Sequence, residues 1–550
     1  KFGGQGHQIQ LNSLDISVQD IDLKSKILNV NSIKIVEPHY ILSTYKHTED
    51  TTESMPFEVN IGWNMAATDL QIKDGKFGIH DHTKERTYSK KGFEFTWFDV
   101  DSIQLSAQNF KWDSIMSVNI ENLAARSTKN DVNLTQLKGQ AQLSDQFIAA
   151  QNLDVAYNQS VVKGDAKLSF NGFGEFSEFI DKVHIQADLK EVRSNGHDVA
   201  VWEKSTQQYV PNAFVSGQFD GTISDFTIKN LVITANQFTE IRGEASIKGI
   251  PDFDKMYIDA QIQKLQTKST EIKKIVPYIK LPKELDMAGN ISAKGSFKGY
   301  IKDFKTDINI NTDLGNLMAN AHMIFPKNGT PIYKGNFQSK GLSLNKFGQV
   351  AFNLNIDGKG FDLDHLNTSV NGVISKLDYN YYSYNDITLN GKFQNKKFEG
   401  DVHLDDECAG VDFNGMVDLN NPENPIYNFY AKLDQADLQH LNLIPNRLIV
   451  SLEGNFKFQG KDIDNLTGEA KISNINIKDN KLDVNLSDLL ICLEKIGDYK
   501  EYTIESKEIN GYMKGHFDPI KLPASLQFYL AQHTSLLESP GIEKLDQLIF

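Results

Sequence analysis

Proline and cysteine are scarce in this chain, at 14 and two of 550 residues. So few prolines, with charges spread evenly, exclude a Pro-rich linker or a long disordered tail and leave room for uninterrupted regular structure. Cys408 and Cys492 stand 84 residues apart, outside any CxxC and away from a histidine pair. They make neither a zinc site nor a disulfide framework, and two buried small side chains are expected. Long apolar runs are also missing: no stretch of eighteen apolar residues exists, so no segment reads as a bilayer-spanning helix. Positive charge is short, with 57 Lys and Arg against 72 Asp and Glu, a formal charge of −15 and no basic run. Such a surface repels a phosphate backbone, and nucleic acid is excluded as a partner. The chain opens Lys1-Phe2-Gly3-Gly4 and closes Leu548-Ile549-Phe550, so a processed or partial chain is expected, with targeting or anchoring segments outside it.

What is present is a repeated phrase. Gly217-Gln-Phe219-Asp-Gly221 with Asp225-Phe226 returns as Gly295-Ser-Phe297-Lys-Gly299 with Asp303-Phe304. It returns again, loosened, as Gly454-Asn-Phe456-Lys with Gly460 and Asp464-Asn-Leu466, and a weaker copy starts at Gly372-Val-Ile374. The first step is 78 residues and the next 159, close to twice that. A long fixed period predicts an elongated array whose units bury apolar faces against their neighbours.

Almost every segment alternates with period two, as in Met256-Tyr-Ile258-Asp-Ala260-Gln-Ile262, Phe93-Glu-Phe95-Thr-Trp97 and Ile475-Asn-Ile477. Alternation of this kind predicts strands with one dry and one wet face. Turn signals such as Lys73-Asp74-Gly75-Lys76, Asn171-Gly172 and Asn420-Asn421-Pro422 separate the runs, so a mostly antiparallel all-β fold is predicted. Two segments break the pattern. Ser269 to Pro277 and Asp437 to Pro445 each have a cap residue, apolar residues at helical spacing and a proline stop, and predict short helices that open modules. The expected organisation is one continuous array: 1–268, a middle module 269–435, a third module 436–530, and a helical segment 531–550.

A sheet of many strands cannot leave its apolar face in water, so it must pair as a sandwich, close as a solenoid, or curl into a trough that holds something greasy. Inward Ala or lone Leu residues, as in Ala141-Gln-Leu143, Ala187-Asp-Leu189 and Ala431-Lys-Leu433, favour the roomier trough. The candidate groove residues are the inward alternators: Phe93, Phe95, Trp97, Leu231, Ile233, Ile247, Ile258, Ile262, Ile308, Ile310, Phe352, Leu354, Ile356, Ile472, Ile475 and Ile477.

Catalytic and metal constellations are weak. His80-Asp81-His82 puts two imidazoles on one strand face, yet no third ligand is evident and a solvated turn is expected. Asp362-Leu-Asp364-His365, Asp405-Asp406-Glu407 and Asp378 offer carboxylates without a readable pair, and solvated strand ends are expected. No GxSxG occurs, and Gly172-Phe-Gly174 and Gly358-Lys-Gly360 lack the strand-loop-helix setting of a phosphate loop. No enzyme and no cofactor are expected. A surface adhesin or polysaccharide-binding solenoid would want exposed aromatic ladders or Gly-Asp calcium repeats, and neither is there.

Several phrases resemble those of TamB-like proteins of the AsmA superfamily, the inner-membrane components of the translocation and assembly module. They are Ser13-Leu14-Asp15-Ile16, Asn29 to Pro38, Trp63 to Asp74, Phe98-Asp99-Val100-Asp101-Ser102-Ile103, Gly249-Ile250-Pro251, Tyr381 to Ile387 and Ala436-Asp437-Leu438 to Leu443. The resemblance covers nearly the whole chain through the order of the phrases. It implies a β-taco, a long curled sheet with an apolar groove, in a protein anchored in the inner membrane of a Gram-negative bacterium and bridging the periplasm to the outer membrane. It also implies phospholipid acyl chains as cargo and an outer-membrane barrel partner of the TamA or BamA type. The alternative it carries is an assembly factor for outer-membrane β-barrels. The family's N-terminal membrane helix and C-terminal domain are not recognisable, so both membrane and barrel contacts are expected through regions outside this chain. The segment Asn122 to Asn130 departs from the family's phrase and receives no role.

Overall fold

A computed structural model describes residues 5–45, 62–83, 94, 96–127, 132–202, 212–252, 254–275, 283–327, 329–344, 347–362, 364–497, 499–508 and 510–518. The expected segment 531–550 therefore lies outside the described residues. Among the described residues, alternating sequences form strands almost throughout, and the α-helices are three short pieces, Phe179–Lys182, Gly196–Trp202 and Ser269–Ile275. The chain divides into two compact units, one of 1–280 with 288–301 and one of 281–287 with 302–550.

In the first unit, eleven consecutive strand pairings run from Asn64–Asp81 to Asn290–Tyr300, all antiparallel and each joining neighbours in the chain. The N-terminal part departs from the antiparallel expectation. Strand Ile27–Val36 folds back on Ser13–Asp22, and His39–Thr44 on Gln5–Gln10, but both then lie parallel to Asn64–Asp81. Glu37, at φ 51°, and Pro38 break the returning strand into two pieces, and one long strand spans both. The sheet is mixed for that reason. Strands Gln5–Gln10 and Ser13–Asp22 pair on one side only among the described residues.

In the second unit the ladder is antiparallel throughout the described residues, from Asp303–Thr312 to Asn510–Gly515. Near its end, Thr467–Lys478 shares its far side between Asp483–Leu486 and Leu489–Ile496. The segment expected to be a second helix is instead a run of turns inside this unit, joining the paired strands Ile426–Asp437 and Ile449–Gln459. Leu441 N–H reaches Asp437 O at 3.0 Å, but Asn442 takes φ 56° and Pro445 follows, so one turn forms and propagation stops.

No second layer covers the strands to make a deep core among the described residues. Among the described residues, twelve of the twenty-three buried apolar residues are alanines, and bulky strand side chains such as Leu354, Phe413 and Ile472 stay half-buried.

The repeated glycines sit where neighbouring strands crowd. Gly372 has φ 152°, and a Cβ there would lie 2.2 Å from Asn353 O. Only glycine fits such a position without moving backbone. Gly372→Ala should therefore lower the urea midpoint by the equivalent of about 2 kcal/mol or more. Gly511→Ala, with nothing within 4 Å of the new carbon, should stay within about 0.5 kcal/mol of the parent in the same titration.

Candidate functional site

Register turns the alternation into rows. In the second unit Ile308 faces Ala319, and the same line continues through Phe337, Leu354, Gly372, Leu389, Val402, Phe413, Ala431, Gly454, Ile472 and Leu489. Twelve strands contribute one residue each, none charged, and every large side chain among them is half-buried. At a strand spacing of about 4.8 Å this row is about 50 Å long. The next row on the same face, from Thr306 and Ala321 through Gly335, Ile356 and Val370 to Phe429, Phe456 and Ala470, is likewise uncharged.

The first unit has an equivalent line from Val118 through Ala141, Ala150, Ala166, Ala187, Phe219, Ile228, Ala245 and Ala260 to Phe297. Six of its ten residues are alanine, which keeps this part of the face low. Beside it, large side chains stand opposite glycine: Leu231 faces Gly243, Gly243 faces Ile262, and Ile262 faces Gly295.

Thirteen of the sixteen sequence candidates fall on these apolar faces. Leu231, Ile233, Ile247, Ile258 and Ile262 share the face in the first unit; Ile308, Ile310, Phe352, Leu354, Ile356, Ile472, Ile475 and Ile477 share it in the second. All are half-buried except Ile475, which is 5% exposed. Phe93 and Phe95 lie outside the described residues. Trp97 stacks on His80 at 4.4 Å, on the face opposite Phe98, which faces Ile79 in the ladder.

Sequence reasoning missed the aromatic stripe. Phe393, Phe398, Phe413, Phe429 and Phe456 follow one another across the second unit with ring centroids 4.8 to 6.0 Å apart. Part of the signal was legible, because the phrase Gly-x-Phe at Gly454 puts glycine and ring two residues apart and hence on one face.

One rim of the second unit is closed down on this face. Leu404, Ala409, Ala436 and Leu441 form a buried cluster joined by Ile387, Val411, Leu433, Leu438 and Tyr382. The turns at 438–448 fold Leu438 and Leu441 over the strand row Ile387, Leu404, Val411 and Leu433. Asp437 fastens this flap, accepting from His440 N at 3.2 Å and lying 2.8 Å from His440 Nδ1, with Arg447 Nε at 3.8 Å. Burial alone would raise its carboxyl, but the His440 bonds outweigh burial and hold it below the usual carboxylate range. At the opposite rim, Tyr333 donates to Gly360 O or Thr368 Oγ1, at 2.6 and 2.7 Å, and stacks on Phe361, and burial raises its phenol.

Electrostatics divides the faces. Cross-strand ion pairs such as Lys334–Asp357 at 2.7 Å, Lys298–Asp259 at 2.6 Å and Lys264–Glu240 at 2.7 Å stand on the polar side, where water and salt screen them.

No family model, curated protein or solved structure matches this chain.

The carboxylates singled out in the sequence serve turns. Asp362 accepts from the backbone N–H groups of Asp364 and His365, Asp378 accepts from Ser383 Oγ and Gln349 N, and Asp406 accepts from Tyr382, Cys408 N and Asn385 N. His80 lies 2.8 Å from Asp99 and His82 stacks on Tyr45, while Trp97 packs between them, stacked on His80 at 4.4 Å and edge-on to His82 at 4.8 Å. Among the described residues no His, Cys, Asp and Glu group of three or more converges as a metal site. No helix there is long and apolar enough to cross a membrane.

Because the Asp437 carboxyl is depressed, its stabilisation is present above the unfolded pKa and lost as pH falls through the folded one. The amide protection factor of Leu441, corrected for intrinsic exchange, should be lower below about pH 4 than at about pH 5. Asp437→Asn should remove most of that dependence.

Proposed function

We propose that the apolar faces conduct phospholipid acyl chains, the chain being the conduit section of a bridge that carries lipid through the periplasm between inner and outer membranes. The observation that carries this reading is the uncharged row of half-buried side chains across twelve strands of the second unit, matched by a ten-strand row in the first. Side chains left half-buried by their own sheet offer surface to something apolar that moves along it. An acyl chain gains about 0.8 kcal/mol per methylene buried, nearly what a bilayer gives, so transfer from membrane to groove is close to isoenergetic. Uniform lining without charges avoids deep traps and permits sliding, while headgroups stay in water along the open side. Curling of each sheet into a β-taco is part of the proposal. The crowding of neighbouring backbone at Gly372 and Gly454 supports it. The resemblance to TamB-like proteins points the same way, and no catalytic role is assigned.

A second reading, the assembly of outer-membrane β-barrels by strand addition, is favoured by strands Gln5–Gln10 and Ser13–Asp22. They pair on one side only among the described residues, and Ile9, Leu14, Ile16 and Val18 are each about half exposed or more.

Native mass spectrometry with lipid extraction, on chain freed of detergent, separates the two. Several phospholipids per chain are expected, lost in the double variant Ile258→Asp with Ile310→Asp while the melting temperature shifts little. A lipid-free, monodisperse chain would overturn the conduit, and unfolding of the double variant would place both residues in packed core.

A further inference from the structure

The polar face of the second unit carries a pattern that lipid conduction does not use. Asn320 faces Asn336, which faces Asn355, then Asn371, Asn390 and Asp401 on successive strands. Six neighbouring strands thus present a short amide or carboxylate at the same height. Sheets disfavour Asn and Asp, so strand propensity does not account for the row. Beside it on the same face, two positions along each strand, runs a second row of Lys334, Asp357, Ser369, Lys392 and Glu399.

Between the rows lies an open depression of about 720 Å³ lined by both. Its floor is the backbone of Gly335, Ile356, Val370, Gly391 and Gly400, whose alternate side chains belong to the other face. Asn336 Nδ2 is used within the row, donating to Asn353 and Asn355 at 2.8 and 3.0 Å. The amides of Asn371 and Asn390 make no hydrogen bond of their own among the described residues and face the depression. Charges nearly cancel, with Lys334 bonded to Asp357 and Lys392 opposite Glu399.

We propose that this trough binds a neutral glycan chain through its amides, by hydrogen bonds in place of the aromatic ladder or calcium repeat that the sequence lacks. An amide offers a donor and an acceptor together, which matches a sugar hydroxyl, and near-zero local charge gives no hold on phosphates or polyanions. The depression has no end walls, which suits a polymer. Strand spacing of about 4.8 Å is close to the repeat of an extended pyranose chain, and six strands span about 24 Å, room for roughly five rings. The trough lies on the face opposite the apolar rows, so the inference is independent of lipid conduction.

Isothermal titration of the full chain with cellohexaose and with chitohexaose, and with polyglutamate as the anionic comparison, tests it. Binding of at least one hexasaccharide is expected, weakened at least tenfold in Asn371→Val with Asn390→Val, with bound lipid unchanged. Valine favours strands, so this variant should fold, and Asn371→Thr alone serves as the milder version, expected to weaken binding in the same direction. No hexasaccharide binding, binding unchanged in both variants, or binding only of polyglutamate would each overturn the proposal.

Discussion

Everything in this structure depends on the register of its antiparallel ladder. Side chains alternate between faces, so a slip of one residue in any strand would carry its apolar set to the polar side and its charges into the apolar row. Register is held from both faces at once. Large groups meet small ones on the apolar side, as Ile262 meets Gly295, while ion pairs such as Lys334–Asp357 form across the polar side. Bulges with left-handed Asn residues, at Asn230 and Asn474, absorb an extra residue without exchanging the faces on either side.

That constraint also explains the thin core. A sheet packed against a second layer would bury its bulky residues, whereas here alanine dominates what is buried and Leu354, Phe413 and Ile472 remain half-buried. In the second unit side chains pack closely at the rims, where Leu441 folds over Leu404 and Tyr333 tucks beside Phe361.

The all-β class, the alternation and the shared apolar face of thirteen candidate residues were legible because period two is a local property of the sequence. Ser269 to Pro277 was legible as a helix start for the same reason, and Ser269–Ile275 is helical. Non-local features were not legible. The parallel pairing of Asn64–Asp81 depends on a break at Glu37 and Pro38 that places two short strands end to end. The turns after Asp437 read as a helix because their apolar spacing suits one, yet left-handed Asn442 ends them within a turn. Trp97 alternates correctly with its neighbours but stands on the other face, since phase cannot be read through a bulge such as that at Ser102. The asparagine row escaped notice because strands differ in length, so residues adjacent in space recur at 11 to 19 positions in the chain.

The most direct test of the central claim uses the alternation itself. A photoreactive amino acid placed singly at 353, 354, 355 and 356, in cells fed labelled phospholipid precursor, should yield lipid adducts at 354 and 356 and none at 353 and 355. Adducts at all four positions, or at none, would contradict a lipid path along the apolar face.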